Sequence, residues 1–151
     1  MLLPRTVRLG VAEDDISTIL MADHGLALYG NAIIVNTEWA GANKDKVTGF
    51  IRAVAKGWNA VIADPDAGAA MVVKRNPAAD AALESRRLSL AIDANVITDY
   101  TRANGMGGID AERFAKALSQ LGENYEFQNA PTPEAYFDAS FLPTDGSLQL
   151  K

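Results

Sequence analysis

The sequence predicts an α/β chain, with two or three strands near its start followed by about five helices. Three observations predict it. Apolar, β-branched runs at residues 16–22 and 26–36 suit strands, and Ile33-Ile34-Val35 is continuous enough for a strand covered on both faces. From residue 44 to 62 the apolar residues recur at spacings of 3 and 4, the period of an amphipathic helix. Beyond it, proline, glycine and capping residues cut the chain into pieces of helix length.

Taken in order, residues 1–7 read as an N-terminal tail and residues 8–15 as a loop into the first strand. Asp23-His24-Gly25 is turn chemistry between the two strand candidates. Asn43 is placed to cap the long helix by accepting a bond from one of its unpaired N–H groups. The stripe of that helix is Val47, Phe50, Ile51, Val54, Trp58, Val61 and Ile62. Gly49 and Gly57 interrupt it, and close packing is the expected reason, since each costs about 1 kcal/mol against alanine.

Asp64-Pro65-Asp66 restarts helix: Asp64 caps, Pro65 takes the first position with its preset φ, and Asp66 suits the positive helix end. This helix stops before Pro77, because the residue preceding proline avoids helical angles. Further helices are expected at about 78–90 and 94–103. Asp110 caps another, whose stripe is Ala111, Phe114, Ala115, Leu118 and Leu121. Thr132-Pro133-Glu134 opens a short last helix, and residues 144–151 read as a frayed tail. The organised domain is therefore residues 8–143. Two strands make a marginal sheet alone, so either the helices form their own core or something outside this chain completes the sheet.

Composition excludes several functions. Apolar residues make up 48% and charged residues 22%, ordinary for a globular domain. A net charge of −5, with Lys74-Arg75 and Arg86-Arg87 as pairs rather than tracts, argues against nucleic acid and anionic membranes. With no cysteine there is no disulfide, thiolate nucleophile or thiolate-held metal, and no cofactor is expected. No apolar run reaches the roughly 18 residues of a membrane span. The first residues lack the charged start and apolar run of a signal peptide.

Tyr29-Gly30-Asn31-Ala-Ile-Ile-Val is followed by Lys46-Val47-x-x-Phe50-Ile51-Arg52-Ala53-x-x-x-Gly57-Trp58 and then Asp64-Pro65-x-Ala67. In this order they resemble the C-terminal half of ABC-transporter substrate-binding proteins of the nitrate, sulfonate, taurine and thiamine-pyrimidine-precursor branch. The resemblance takes in residues 8–143. It implies a partial lobe of the type II periplasmic-binding-protein fold, a small-molecule solute, an ABC permease as partner and a periplasmic setting. Such proteins close two α/β lobes over their ligand, and the half that supplies the first lobe has no counterpart here.

By resemblance, the polar start of the second strand faces the ligand cleft. Tyr29 would stack on a ring or donate its hydroxyl, and Asn31 would offer both donor and acceptor. Gly30 would let the ligand approach the backbone. Alternation places Tyr29 and Asn31 on one face. Trp39, after Glu38, would wall the pocket or cover the core edge.

The remaining candidates have plain explanations. His24 fits a turn, and Glu13-Asp14-Asp15 fits a solvated loop. Gly105-Met106-Gly107-Gly108 lacks the Lys and Ser/Thr of a phosphate loop. The expected function is therefore solute binding for an importer. The solute would be a thiamine pyrimidine precursor, a related heteroaromatic, or a sulfonate- or nitrate-type anion. An oligomeric interaction module is the alternative, and an enzyme of thiamine-pyrimidine synthesis comes behind it. An incomplete sheet also implies a homo-oligomer.

Overall fold

A computed structural model describes residues 3–129 and 132–151. Its helices are α1 (Leu3–Arg8), α2 (Thr37–Ala42), α3 (Lys44–Ala63), α4 (Pro65–Arg75), α5 (Ala81–Ala91), α6 (Asp99–Asn104), α7 (Ala111–Gly122) and α8 (Pro133–Tyr136). Short 3-10 turns occur at Glu13–Asp15, Met21–His24 and Ala139–Phe141, and a π turn at Ile92–Val96.

The α/β expectation is overturned, because no strand forms among the described residues. A strand exists only as one side of a ladder that takes up its N–H and C=O groups. Residues 16–20 run as loop and then close into the turn at Met21–His24, where the N–H of Gly25 bonds to the carbonyl of Ala22 at 3.3 Å. His24 ends this turn, and Gly25 follows it at φ 91°, the left-handed conformation that glycine tolerates best. Residues 26–36 do run without turn or bend, but no neighbouring strand lies beside them. Alternating apolar sequence needs only an extended chain, so it cannot tell a paired strand from a lone one.

Helix chemistry was more legible. The Asp64 side chain accepts from the N–H of Ala67 at 2.9 Å and Pro65 opens α4. Asp80 caps α5, Thr98 and Thr101 form a capping box on α6, and Asp110 accepts from the N–H of Arg113 at 2.7 Å to cap α7. Asn43 does not cap α3. Asn36 caps α2 instead, and Asn43 bridges the two helices by donating to the carbonyl of Trp39 and accepting from Nζ of Lys46. The helix expected at 94–103 starts only at Asp99, because α5 runs on through the π turn to Val96.

The core is small and rich in alanine: Ala27, Ala40, Val47, Ala55, Ala69, Ile92, Met106 and Ala117 are buried. Alanines let helices approach closely, and α3, α4 and α5 pack in succession with α1 against α5. The closest approach is at Gly68 of α4, where an added Cβ would lie 2.8 Å from Leu88 Cδ2 and 3.1 Å from Val61 Cγ1. The Ser85 hydroxyl also donates to Asp66, tying α5 to α4. By contrast, Gly49 and Gly57 have nothing within 4 Å of an added Cβ, so the close packing expected of them is absent. Phe50, placed on the buried stripe of α3, is 57% exposed.

Of residues 144–151, read from the sequence as a frayed tail, 145–151 lie along α3. Arg52 meets Asp145 at 2.6 Å, Asn59 donates to the carbonyl of Gln149 at 2.9 Å, and the N–H of Lys151 donates to Asn59 at 3.1 Å. The N–H of Met106 bonds to the carbonyl of Leu148 at 2.8 Å. Gly105 and Gly107, both at positive φ, make the turn that permits this contact.

The side chain of Ser147, the Arg52 guanidinium and the N–H of Ser147 hold the Asp145 carboxyl down from 3.8 to about 2. The Ser147 hydroxyl itself is buried without a hydrogen-bond partner among the described residues, so the hydrogen bonds that hold Asp145 come from the Arg52 guanidinium and the N–H of Ser147. A depressed carboxylate stabilises the fold above its unfolded value and loses that contribution as pH falls through its folded value. Titrating the amide resonance of Ser147 should therefore give a midpoint near 2 rather than 3.8, and Asp145→Asn should abolish the transition. A midpoint at the ordinary value would show that the segment is not held through Asp145.

Candidate functional site

The candidate site lies where the extended segment meets the start of α7. The contact is built from side chains acting on backbone. Gln120 donates from Nε2 to the carbonyl of Gly25 at 2.8 Å and accepts from the N–H of Ala27 at 2.9 Å. Arg113 donates from Nε to the carbonyl of Ala27 and from a terminal nitrogen to that of Leu28, each at 3.1 Å. Two side chains of α7, seven residues and so about two turns apart, thus do for residues 25–28 what a neighbouring strand does in a sheet.

Tyr29 is fixed at the end of this contact. Its oxygen accepts from the N–H of Asp110 at 2.8 Å. The Arg113 guanidinium sits 4.7 Å from the centre of its ring, and the Phe114 ring lies at 6.2 Å, tilted by 49°. Tyr100 adjoins the same cluster and donates to the carbonyl of Ile109 at 2.8 Å. Burial pushes the Tyr100 phenol up, and the neighbouring Tyr29 and Asp110 add to the shift, so it stays a neutral donor at ordinary pH.

Beside the cluster is an open cleft of about 440 Å³, lined in part by Leu26, Ala27, Asp110, Arg113 and Lys116. Asp110 and Arg113 also touch Tyr29, so the cleft and the aromatic cluster are continuous. The lining sets two cations, Arg113 and Lys116, against two carboxylates, Asp110 and Glu112, and with the part-exposed Tyr29 ring nearby it forms a surface that suits a flat polar molecule.

The other sequence candidates lie apart from this cluster. Gly30 and Asn31 are exposed, and an added Cβ on Gly30 meets nothing within 4 Å. Trp39 sits in α2, 48% exposed, with its N–H donating to the Asn36 side chain at 2.9 Å. Among the described residues no hydrogen bond or ring contact joins Trp39 to Tyr29 or Asn31. Arg113, Gln120 and Tyr100 were not singled out from the sequence. The available signal was two polar residues seven apart on the helix that Asp110 caps. No group of residues fit to hold a metal ion occurs among the described residues, and no described helix is long and apolar enough to cross a membrane.

An extended segment held beside a cleft, leading into a long amphipathic helix, is an arrangement that a small-solute binder can use. Residues 5–68 match the family model described as NMT1/THI5 like. That is the family of nitrate, sulfonate, taurine and thiamine-precursor binding proteins, and it fits the resemblance read from the sequence. The match takes in Tyr29, Gly30, Asn31 and Trp39 and ends within α4. Residues 69–143, which the resemblance also covered, lie outside it. No curated protein and no solved structure matches the chain.

Proposed function

We propose that the chain is a solute-binding component of an ABC importer, or a portion of one, and that it binds through the Tyr29 edge. The observation that carries this is the family match across residues 5–68, which spans that edge. The cleft beside Tyr29 supports it by giving the edge a concave wall. Binding would shift the protein toward a closed form, which an ABC permease would read. The facing wall would come from the half that the resemblance places before this segment. The setting would be periplasmic, and the role is binding rather than catalysis.

The solute is a thiamine pyrimidine precursor, a related heteroaromatic, or a sulfonate- or nitrate-type anion. The Tyr29 ring and the Asn31 amide favour the flat heteroaromatic. Arg113 and Lys116 bring to the cleft the cations that an anion would need, but Asp110 and Glu112 line it too and offset them. In a full-length context, Asn31→Ala is expected to weaken pyrimidine affinity about tenfold by calorimetry, the value of one lost polar contact of about 1.4 kcal/mol. Unchanged affinity would reject Asn31 as a ligand contact. Native mass spectrometry that finds no retained pyrimidine or sulfonate would reject binding by this chain alone.

A further inference from the structure

We infer that residues 32–36 pair antiparallel with the same residues of a second copy of this chain, with Ile34 opposite its own counterpart. The segment is ready for pairing: it runs without bend, and among the described residues no backbone–backbone hydrogen bond involves residues 30–35. Its apolar side chains face solvent, with Ile34 exposed at 91% and Ile33 at 56%. An open, β-branched edge of this kind recruits another strand.

Three features select a second copy as the occupant. The first is charge. The chain carries −5, yet no charged residue lies between His24 and Glu38, so two copies meet here with least repulsion. The second is symmetry. Two strands related by a two-fold axis through their ladder are antiparallel. Adjacent residue pairs alternate in hydrogen-bonding type, so the axis must pass through a residue that faces itself.

The third is sequence. Centring the axis on Ile34 sets Ile33 against Val35 twice and Ile34 against Ile34, so every branched apolar residue of the segment meets another. Centring it on Ile33 would set Val35 against Asn31 instead. Asn36, as the cap of α2, ends the ladder on each side. The inference goes beyond solute binding and does not depend on it.

Light scattering on the pure chain at micromolar concentration should give twice the chain mass. Ile34→Lys places two like charges opposite each other and should halve that mass. Its circular dichroism should be unchanged, because Ile34 touches little of the folded chain. The chain has no cysteine, so Ile34→Cys should yield a disulfide-linked dimer on mild oxidation. Ile19→Cys, at a position also exposed but outside the segment, should not.

A monomeric wild type, a dimer that survives Ile34→Lys, or equal cross-linking at both positions would overturn the inference. Pyrimidine or sulfonate titrated into the same samples reads the binding role separately. A dimer that binds neither counts against that role alone, and an Ile34→Lys monomer that binds either one supports both readings.

Discussion

Replacing both Arg113 and Gln120 by alanine is expected to free residues 25–29 from α7 and to lower stability by about 2–3 kcal/mol. The four side-chain-to-backbone bonds are each worth about 0.5–1.5 kcal/mol net. Their sum is discounted here because Arg113 is largely exposed, so water replaces part of what is lost. The N–H of Ala27 is the exception. Ala27 is buried, so losing its acceptor on Gln120 leaves a donor that water reaches poorly.

Hydrogen exchange should show this locally. The Ala27 amide should exchange at least about tenfold faster, one decade per roughly 1.4 kcal/mol, while α4 and α5 stay protected. Arg113→Lys should rescue little, because an ammonium cannot span the carbonyls of Ala27 and Leu28 as a planar fork does. Unchanged exchange over residues 25–29 would show that the segment is held by other means. If the double substitution also removes solute affinity with Asn31 intact, the site depends on how α7 positions Tyr29.

This contact shows where sequence reading stops. The helices were legible because their determinants are local: Asp64-Pro65 starts α4, the approach to Pro77 ends it, and Asp110 starts α7. Strands were not, because a strand is defined by its partner and residues 26–36 carry only half of that information. The same apolar run fits a buried ladder and a lone exposed segment, and here it is the second.

The candidate site divides in the same way. Tyr29 was visible from its place at the start of the segment. Arg113, which covers its ring, and Asp110, which holds its hydroxyl, lie more than eighty residues away along the chain, and local pattern does not connect them. Glycine gave the reverse error. Gly49 and Gly57 looked like contact points because they interrupt a periodic stripe, whereas the tight contact is at Gly68, which interrupts nothing.

Gly68→Val is accordingly expected to be the most destabilising valine substitution among the glycines within the described helices, at about 1–3 kcal/mol. A Cβ alone would sit 2.8 Å from Leu88 Cδ2 and 3.1 Å from Val61 Cγ1. Leu88 Cδ2 ends a flexible side chain, so alanine can be accommodated by a rotation. That cost opposes the gain of about 1 kcal/mol from replacing glycine within a helix. Valine adds two methyl groups between α3 and α5, on both sides at once, with its χ1 restricted by the helix. The helices must then separate, and the separation reaches Ala69, the next residue, which is 1% exposed.

Urea unfolding should therefore show Gly68→Ala near wild type and Gly68→Val with a clearly lower midpoint at an unchanged slope. Gly57→Val serves as the comparison, since an added Cβ there meets nothing within 4 Å. Equal losses at Gly57 and Gly68 would mean that valine acts through helix propensity alone, and that the α3–α4–α5 packing is not what holds this fold together.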